Sequence, residues 1–208
     1  MSLLLSQLHV NWLATLFAFA CGYLSGSVPY GLVLGKLSGL GDIRKKGSGN
    51  IGATNMLRIG GKELAAATLL LDGLKGMIPV LIASSIHMDY AIMAALGAFI
   101  GHLFPVWLQY KGGKGVAVAL GIAFGLSWQL GLILCLIWLA TAMITQYSSV
   151  AALTAFALSP VIAGYLTADF QIMILMLIIS ITIWVRHKDN LKRLAKKTES
   201  KINLNKTA

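Results

Sequence analysis

Long uncharged stretches dominate the pattern of hydrophobic and polar positions along the chain. Residues 1–35, 90–110, 115–168 and 170–185 contain no Asp, Glu, Lys or Arg. Apolar runs of this length exceed what the core of a soluble domain needs, and they match the length that a helix requires to cross a bilayer. The pattern therefore predicts an all-α integral membrane protein.

The basic residues that interrupt these stretches are strongly clustered. Of the 17 Lys and Arg residues, six lie in 36–62, two are Lys111 and Lys114, eight lie in 186–206, and Lys75 alone falls elsewhere. Placing the three basic segments on the cytoplasmic face satisfies the positive-inside rule and leaves the acidic residues 89 and 169 in short outer loops. One span precedes residue 36, so the N-terminus is expected outside.

Parity then predicts the number of spans. Residues 64–84 and 90–108 connect the first basic segment to the second. The crossings between the second and third segments must be even in number, and 170–185 supplies one. A single helix over the 54 residues 115–168 would be about 80 Å long. Three crossings are therefore predicted there, with turns near 125–127 and 146–149. The total is seven transmembrane helices with a cytoplasmic C-terminus, and 115–126 is the shortest.

The first apolar stretch is interpreted as a retained span and not as a cleavable signal peptide. It lacks a basic leading region and a small-residue cleavage signature. One transmembrane domain is predicted over 1–199, followed by a polar tail over 200–208. Four residues are expected to break up the first stretch, namely Gly22, Gly26, Pro29 and Gly31.

The first basic segment has the composition of a phosphate-binding loop. Gly47, Gly49 and Gly52 allow the backbone to turn several N–H groups toward one point, which is a nest suited to an anion. An ordinary interfacial loop that meets anionic lipid is the alternative. Neutral donors and cations edge the predicted nest, namely Ser48, Asn50, Thr54 and Asn55, and Arg44, Lys45, Arg58 and Lys62.

The second segment repeats this composition near the end of a span. Gly112, Gly113 and Gly115 surround Lys114 in a flexible cationic turn. His102 lies about two helical turns earlier, and it suggests either function or a histidine hydrogen-bonded between helices. Lys111 adds a second charge to the same turn.

The third segment continues the last span into a basic helix. His187 and Asn190 share one helical face with Leu194. Such a helix can serve only to bind anionic lipid head groups, but lipid binding does not require these two polar side chains.

Inside the second span, Asp72 and Lys75 are spaced to pair across adjacent turns, and a structural ion pair is favoured over a catalytic one.

Taken together, the three segments resemble one membrane enzyme family. Gly-Ser-Gly-Asn-Ile-Gly-Ala-Thr-Asn over 47–55, Gly-His-Leu-Phe-Pro over 101–105 with Lys-Gly-Gly-Lys-Gly over 111–115, and Arg-His-Lys-Asp-Asn over 186–190 occur in this order. They resemble the acyl-phosphate:glycerol-3-phosphate acyltransferase family, PlsY. The chain departs from the family in one place, because Lys197 stands where the family commonly has glycine before Thr198 and Glu199.

The resemblance implies a seven-helix fold in the bacterial inner membrane, with the active site at the cytoplasmic face. It also implies the transfer of an acyl group from acyl phosphate to the sn-1 hydroxyl of glycerol 3-phosphate, which gives lysophosphatidic acid and phosphate. No covalent acyl-enzyme is needed, because the donor is already a mixed anhydride. We expect no cofactor and no metal, because no metal-binding cluster is visible, and we expect membrane lipid as the surroundings of a monomer.

Roles for the polar residues follow as a hypothesis. Ser48, Asn50 and Thr54 with the glycine backbone are expected to hold acyl phosphate, while the side chains at 58, 114, 187 and 190 hold glycerol 3-phosphate. The base that takes the hydroxyl proton is His102, His187 or a substrate phosphate. The candidate catalytic residues are Ser48, His102, Lys114 and His187. The candidate binding residues are Gly47, Ser48, Gly49, Asn50, Gly52, Thr54, Asn55, Arg58, Lys111, Gly113, Lys114, Asn190 and Arg193.

The same residues give weaker support to other functions. A transporter of organophosphates would place its anion site near the bilayer midplane, whereas these donors cluster at one face. A His-x4-Asp acyltransferase is excluded, because no histidine is followed by Asp at that spacing. Hydropathy excludes a nucleic-acid binder despite the net charge of +10.

Overall fold

The computed structural model describes residues 11–202, and these form nine α-helices with no β-strand among them. In chain order the helices are α1 (Trp12–Ser27), α2 (Tyr30–Leu37), α3 (Ala53–Ser84), α4 (Met88–Leu103), α5 (Val116–Leu126), α6 (Trp128–Thr145), α7 (Ser148–Thr167), α8 (Phe170–Arg186) and α9 (Lys188–Ala195). Short 3-10 turns occupy Ile43–Lys45 and Val106–Leu108. The all-α prediction is confirmed for the described residues.

Five segments are long and apolar enough to cross a membrane, and α8 with α9 forms a sixth that is bent by 54°. The five are Trp12–Leu37, Ala53–Ser84, Met88–Leu108, Trp128–Thr145 and Ser148–Thr167. The predicted turns are confirmed, because helices end at Leu126 and Thr145 and the next begin at Trp128 and Ser148. With 11 residues, α5 is only about 16 Å long, so a seventh crossing stays a prediction.

The prediction for the first span is right about the proline and wrong about the glycines, because Gly31 also lies inside a helix, α2. Helix α1 runs without interruption through Gly22 and Gly26, and the chain breaks only at Val28 and Pro29 before α2 begins. These glycines do not break the helix because their backbone hydrogen bonds remain intact. Their missing side chains instead admit a neighbouring helix, as small residues do between transmembrane helices.

Helices α1 and α4 pack through glycines on both sides. A Cβ at Gly26 would lie 2.0 Å from the carbonyl oxygen of Ala98, and one at Gly97 would lie 2.2 Å from that of Phe19. Gly121 on α5 meets the backbone of Gly73 on α3 in the same way, at 1.9 Å. Close backbone approach therefore ties α1 to α4 and α3 to α5.

Helix α3 carries a break and a buried ion pair that position the site. Gly61 has a φ of 83° and separates a short first part of the helix from the long apolar part. Below this break, Lys75 Nζ lies 2.6 Å from Asp72 Oδ1, and both side chains are 2% exposed. The pairing predicted from the sequence is confirmed. Lys75 also donates to the carbonyl oxygen of Val28, 2.7 Å away, where α1 ends.

The three polar segments meet at one end of the bundle. Trp107 Nε1 donates to Ser27 Oγ at 2.9 Å, so the chain that follows α4 lies beside the end of α1. Gln146, between α6 and α7, accepts a hydrogen bond from Lys201 Nζ at 3.1 Å. Helices α1, α4, α6 and α8 thus end here, and α3, α5 and α7 begin here. The acidic loops at Asp89 and Asp169 occupy the other ends of these helices.

Candidate active site

A cavity of about 300 Å³ lies where the three polar segments meet the apolar helices. The first segment contributes Ser48, Asn50, Gly52, Ala53, Thr54 and Arg58, the second His102, Lys114 and Gly115, and the third His187, Asn190 and Glu199. The wall continues along apolar side chains of α3, α5 and α6, among them Leu69, Leu120, Cys135, Trp138 and Leu139. One cavity therefore has a cationic, donor-rich region and an apolar region.

Asn55 stabilises the turn of the first segment through hydrogen bonds. Its Oδ1 accepts hydrogen bonds from Ser48 N at 2.8 Å and Ser48 Oγ at 3.2 Å. Its Nδ2 donates to the carbonyl oxygens of Ile43 and Lys46, each at 3.2 Å. Gly47 has a φ of +58°, and a Cβ there would lie 2.3 Å from Asn55 Oδ1. Glycine and asparagine together turn the loop so that Ser48 reaches the cavity.

The first turn of α3 opens onto the same cavity. Gly52 is the N-cap and supplies no side-chain cap. The leading N–H groups of a helix have no partner within the helix and carry a partial positive charge, so they suit an anion. Thr54 Oγ1 and Ser148 Oγ are 2.9 Å apart, which joins this turn to the beginning of α7.

Lys114 is the cation at the centre of the site. It is half-buried, and its Nζ donates a short hydrogen bond to Asn190 Oδ1. Burial, followed by the charge of Arg193, lowers the pKa of Lys114 to about 8. The ammonium group is therefore a charged donor at neutral pH and can contribute strongly to anion binding in a partly dehydrated cavity.

Glu199 organises the third segment around Asn190. One carboxylate oxygen accepts from Asn190 Nδ2 at 2.6 Å and Ser149 Oγ at 2.9 Å, and the other accepts from Arg193 Nε at 2.7 Å. Burial raises the pKa of Glu199, but these hydrogen bonds together lower it. Because Asn190 donates to Glu199, its Oδ1 is left to hold Lys114.

The departure from the family pattern at Lys197 does not displace Glu199. Lys197 adopts the left-handed region with a φ of 56° and donates its N–H to the Leu194 carbonyl at 3.0 Å. Thr198 N donates to the Arg193 carbonyl at 2.8 Å. This is a Schellman ending, in which glycine is usual at the left-handed position. Lys197 makes the same turn at a conformational cost of about 1 kcal/mol.

The two histidines differ in their partners. His187 Nδ1 lies 2.8 Å from the Ile183 carbonyl oxygen, so in the neutral ring this nitrogen carries the proton and Nε2 is the acceptor. His102 is buried against Gly113, where a Cβ would lie 2.3 Å from Nε2. Arg186 holds the loop in this position by donating to the carbonyl oxygen of Gly113 at 2.8 Å.

The structure divides the candidate residues into those that line the cavity and those that support or flank it. Ser48, Asn50, Gly52, Thr54, Arg58, His102, Lys114, His187 and Asn190 line it. Gly47, Asn55 and Gly113 lie behind it and shape its loops, and Arg193 pairs with Glu199. Gly49, with a φ of +73°, and the exposed Lys111 are also outside the lining. Arg44 pairs with Asp42 at 2.7 Å.

Several lining residues were not predicted. Ser148 and Ser149 reach the cavity from α7, and Trp138 from α6. Nothing in their local sequence distinguishes them from helix-end serines or membrane aromatics. The predicted tail is also engaged at its start, because Arg58 donates to the Ser200 carbonyl at 3.1 Å and Ile202 N donates to the Gln146 carbonyl at 2.7 Å. Positions 203–208 lie outside the described residues.

Comparison with known proteins agrees with the three-segment site. A family model described as glycerol-3-phosphate acyltransferase matches residues 16–197. The chain belongs to this family. The glycerol-3-phosphate acyltransferase of Mesorhizobium japonicum is 55% identical over 187 residues, covering 90% of this chain and 95% of the relative. That of Sinorhizobium fredii is 52% identical over 189 residues, covering 91% and 93%.

A solved structure of the family has the same helical fold. The crystal structure of PlsY, an integral membrane glycerol 3-phosphate acyltransferase, in its glycerol 3-phosphate form is 35% identical, with a TM-score of 0.87 over 91% of this chain and 96% of that one. Its lysophosphatidic acid form gives a TM-score of 0.85 with the same coverage. This glycerol-3-phosphate acyltransferase is therefore an all-helical, multi-pass integral membrane protein of the PlsY type.

Proposed function

We propose that the chain transfers a fatty acyl group from acyl phosphate to the sn-1 hydroxyl of glycerol 3-phosphate and releases lysophosphatidic acid and phosphate. The observation that carries this proposal is the single cavity that joins a cation- and donor-rich region to an apolar region. Two phosphates need the first region, and a long acyl chain needs the second.

The first segment is assigned to the donor. Ser48, Asn50 and Thr54, with the leading N–H groups of α3, bind the phosphate of acyl phosphate. The acyl chain then extends along the apolar side chains of α3, α5 and α6. Donors beside the carbonyl carbon also stabilise the oxyanion that develops when the hydroxyl attacks. Phosphate leaves with the electron pair of the broken C–O bond, so no acyl-enzyme forms.

The second and third segments, together with Arg58 of the first, are assigned to the acceptor. Arg58, Lys114, His187 and Asn190 bind glycerol 3-phosphate. Their charges offset the repulsion between the two anionic substrates and hold the hydroxyl beside the acyl carbon. Arg58 and Lys114 reach the cavity from different elements, so the phosphate of the acceptor can contact two cations at once.

The proton of the attacking hydroxyl has three possible acceptors, which are His102, His187 and a substrate phosphate. If phosphate is the base, the variant His102→Ala retains much of the turnover rate. A purified His102→Ala enzyme that binds both substrates normally but shows no turnover would assign this step to His102.

The proposed topology has seven crossings, with α5 as the shortest, and places the polar segments on the cytoplasmic face of the bacterial inner membrane. The distribution of basic and acidic residues supports this orientation. The transmembrane domain over 1–199 functions as a monomer surrounded by lipid and needs no cofactor. The remaining residues 200–208 continue from it as a polar tail.

Purified protein with labelled glycerol 3-phosphate and either palmitoyl phosphate or palmitoyl-CoA tests the donor. The mixed anhydride alone is expected to give labelled lysophosphatidic acid, because the proposed donor site binds a phosphate. Product from palmitoyl-CoA alone would overturn the assignment. The variant Lys114→Met is the matched control, since it removes the central cation and is expected to reduce kcat/KM by at least about 100-fold.

A further inference from the structure

Side chains with buried polar atoms line the cavity, and two of them, Asp72 and Trp138, have no role in the proposed mechanism. Within the described residues, three buried side-chain atoms have no regular hydrogen bond, namely His102 Nδ1, Trp138 Nε1 and Asp72 Oδ1, of which only Asp72 Oδ1 is in an ion pair. All three side chains line the cavity. Buried polar groups are normally satisfied, so unsatisfied atoms at one cavity indicate positions where a ligand supplies the missing partner.

Asp72 is the carboxyl group among these three side chains. Lys75 Nζ lies 2.6 Å from Oδ1, so the ion pair holds this oxygen in place. The same ammonium group also donates to the Val28 carbonyl oxygen, at 2.7 Å. A carboxylate offers about four acceptor positions. Since the side chain is 2% exposed and lines the cavity, the remaining acceptor capacity faces the place where substrate binds.

We propose that Asp72, held in place by Lys75, accepts a hydrogen bond from the secondary hydroxyl of the acceptor substrate. This proposal rests on the proposed function, in which glycerol 3-phosphate is the acceptor. The cations and N–H donors at the other end suit its phosphate, whereas its two hydroxyls need acceptors. A carboxylate repels a phosphate, so Asp72 also excludes the inverted orientation of the substrate.

The ion pair explains why Asp72 holds the hydroxyl that does not react. Accepting a proton from the attacking hydroxyl would disrupt the 2.6 Å contact between Asp72 Oδ1 and Lys75 Nζ, so Asp72 is poorly suited to be the base. It remains a strong acceptor for a hydroxyl that keeps its proton. Asp72 is therefore a binding residue that sets the identity and the orientation of the acceptor, and another group accepts the proton.

The test compares glycerol 3-phosphate with 3-hydroxypropyl phosphate, which lacks only the secondary hydroxyl. The wild-type enzyme is expected to prefer glycerol 3-phosphate by about 10- to 100-fold in kcat/KM, because the analogue leaves the buried carboxylate without the hydrogen bond from the secondary hydroxyl. The variant D72N/K75M removes both charges, which is better tolerated than leaving one charge buried alone. Its preference is expected to fall below about threefold, mainly through a higher KM for glycerol 3-phosphate.

Two further variants complete the experiment. D72N alone is expected to lose the same preference if it folds, and D89N, at the far end of the bundle, is expected to keep it. Equal loss of kcat/KM on both substrates in D72N/K75M would show a purely structural ion pair and overturn the proposal. A wild-type enzyme without preference would also overturn it. If the wild-type enzyme acylated neither compound, the proposed function would fail instead.

Discussion

Single residues in the site act through their hydrogen-bond partners as much as through their own chemistry. Asn190 contacts Lys114 with one end of its amide and Glu199 with the other. An amide held at both ends cannot rotate, so the ammonium group of Lys114 keeps one position in the cavity. The cation needed for phosphate binding is therefore positioned by a network that begins at Glu199.

The lowered pKa of Lys114, about 8, leads to a pH prediction. Below this value the side chain is an ammonium group that binds phosphate, and above it the charge is lost. We expect kcat/KM to decrease as the pH rises through about 8. The variant Lys114→Arg stays charged throughout and is expected to shift the alkaline decrease to higher pH. A profile that is unchanged in Lys114→Arg would show that another group titrates.

The sequence motifs identified most of the polar residues that line the cavity but not the separate role of each. Ser48 and Asn55 belong to the same polar segment, and both were predicted to meet substrate. Only Ser48 lines the cavity, because the amide group of Asn55 is hydrogen-bonded to the backbone of the loop. The choice between facing a ligand and facing the chain depends on the backbone turn at Gly47, which composition does not determine. The positions of Trp138 and Ser149 at the cavity are likewise set only by helix packing.

At the scale of elements, helix ends and helix contacts carry the site. The left-handed residue after α9 directs the chain back so that Glu199 reaches Asn190. Glycine fits this position without the steric cost that any other side chain has. In the sequence, the only sign of this turn is that the family commonly has glycine where this chain has Lys197.

The variant Lys197→Gly is expected to stabilise the protein by about 1 kcal/mol, because it relieves the left-handed conformation at φ 56°. Activity is expected to persist, since the Lys197 side chain does not line the cavity. Thermal unfolding in detergent measures the effect. The matched control is Lys196→Gly, whose φ of −85° is ordinary, so glycine there is expected to destabilise by about 0.5–1 kcal/mol. Equal effects of both variants would contradict this explanation.

The contact between α1 and α4 gives a second prediction for elements. In Gly26→Leu the new side chain would meet the Ala98 backbone, with its Cβ only 2.0 Å from the carbonyl oxygen. The helices must separate, and a loss of more than about 3 kcal/mol or failure to fold is expected. Gly164→Ala on α7 is the control, because its Cβ would meet only the flexible side chain of Met173, at 3.2 Å. A folded, active Gly26→Leu enzyme would contradict the packing.

For the whole molecule, the charge distribution and the parity of the crossings predicted where the turns between α5, α6 and α7 lie. The turns after Leu126 and Thr145 lie where the parity argument placed them. The glycines of α1 were interpreted wrongly, because hydropathy does not distinguish a glycine that ends a helix from one that packs against a neighbour. The shortness of α5 was visible in the sequence, because 115–126 is too short to cross a bilayer as a straight helix.

The orientation of the whole molecule determines whether the two substrates can meet on one side of the membrane. The described part of the chain brings Ser48, Lys114 and Asn190 to one cavity. The proposed function requires that this cavity opens to the cytoplasm, where soluble glycerol 3-phosphate is bound, while the acyl chain extends among the helices.

The most direct measurement is side-specific thiol labelling of single cysteines at 48, 114 and 190, in a background with Cys21 and Cys135 replaced. In sealed vesicles of known orientation, an impermeant reagent is expected to reach all three positions from the cytoplasmic side only. Glycerol 3-phosphate together with acyl phosphate is expected to slow labelling at position 48. Labelling of any two positions from opposite sides of the membrane would contradict the account.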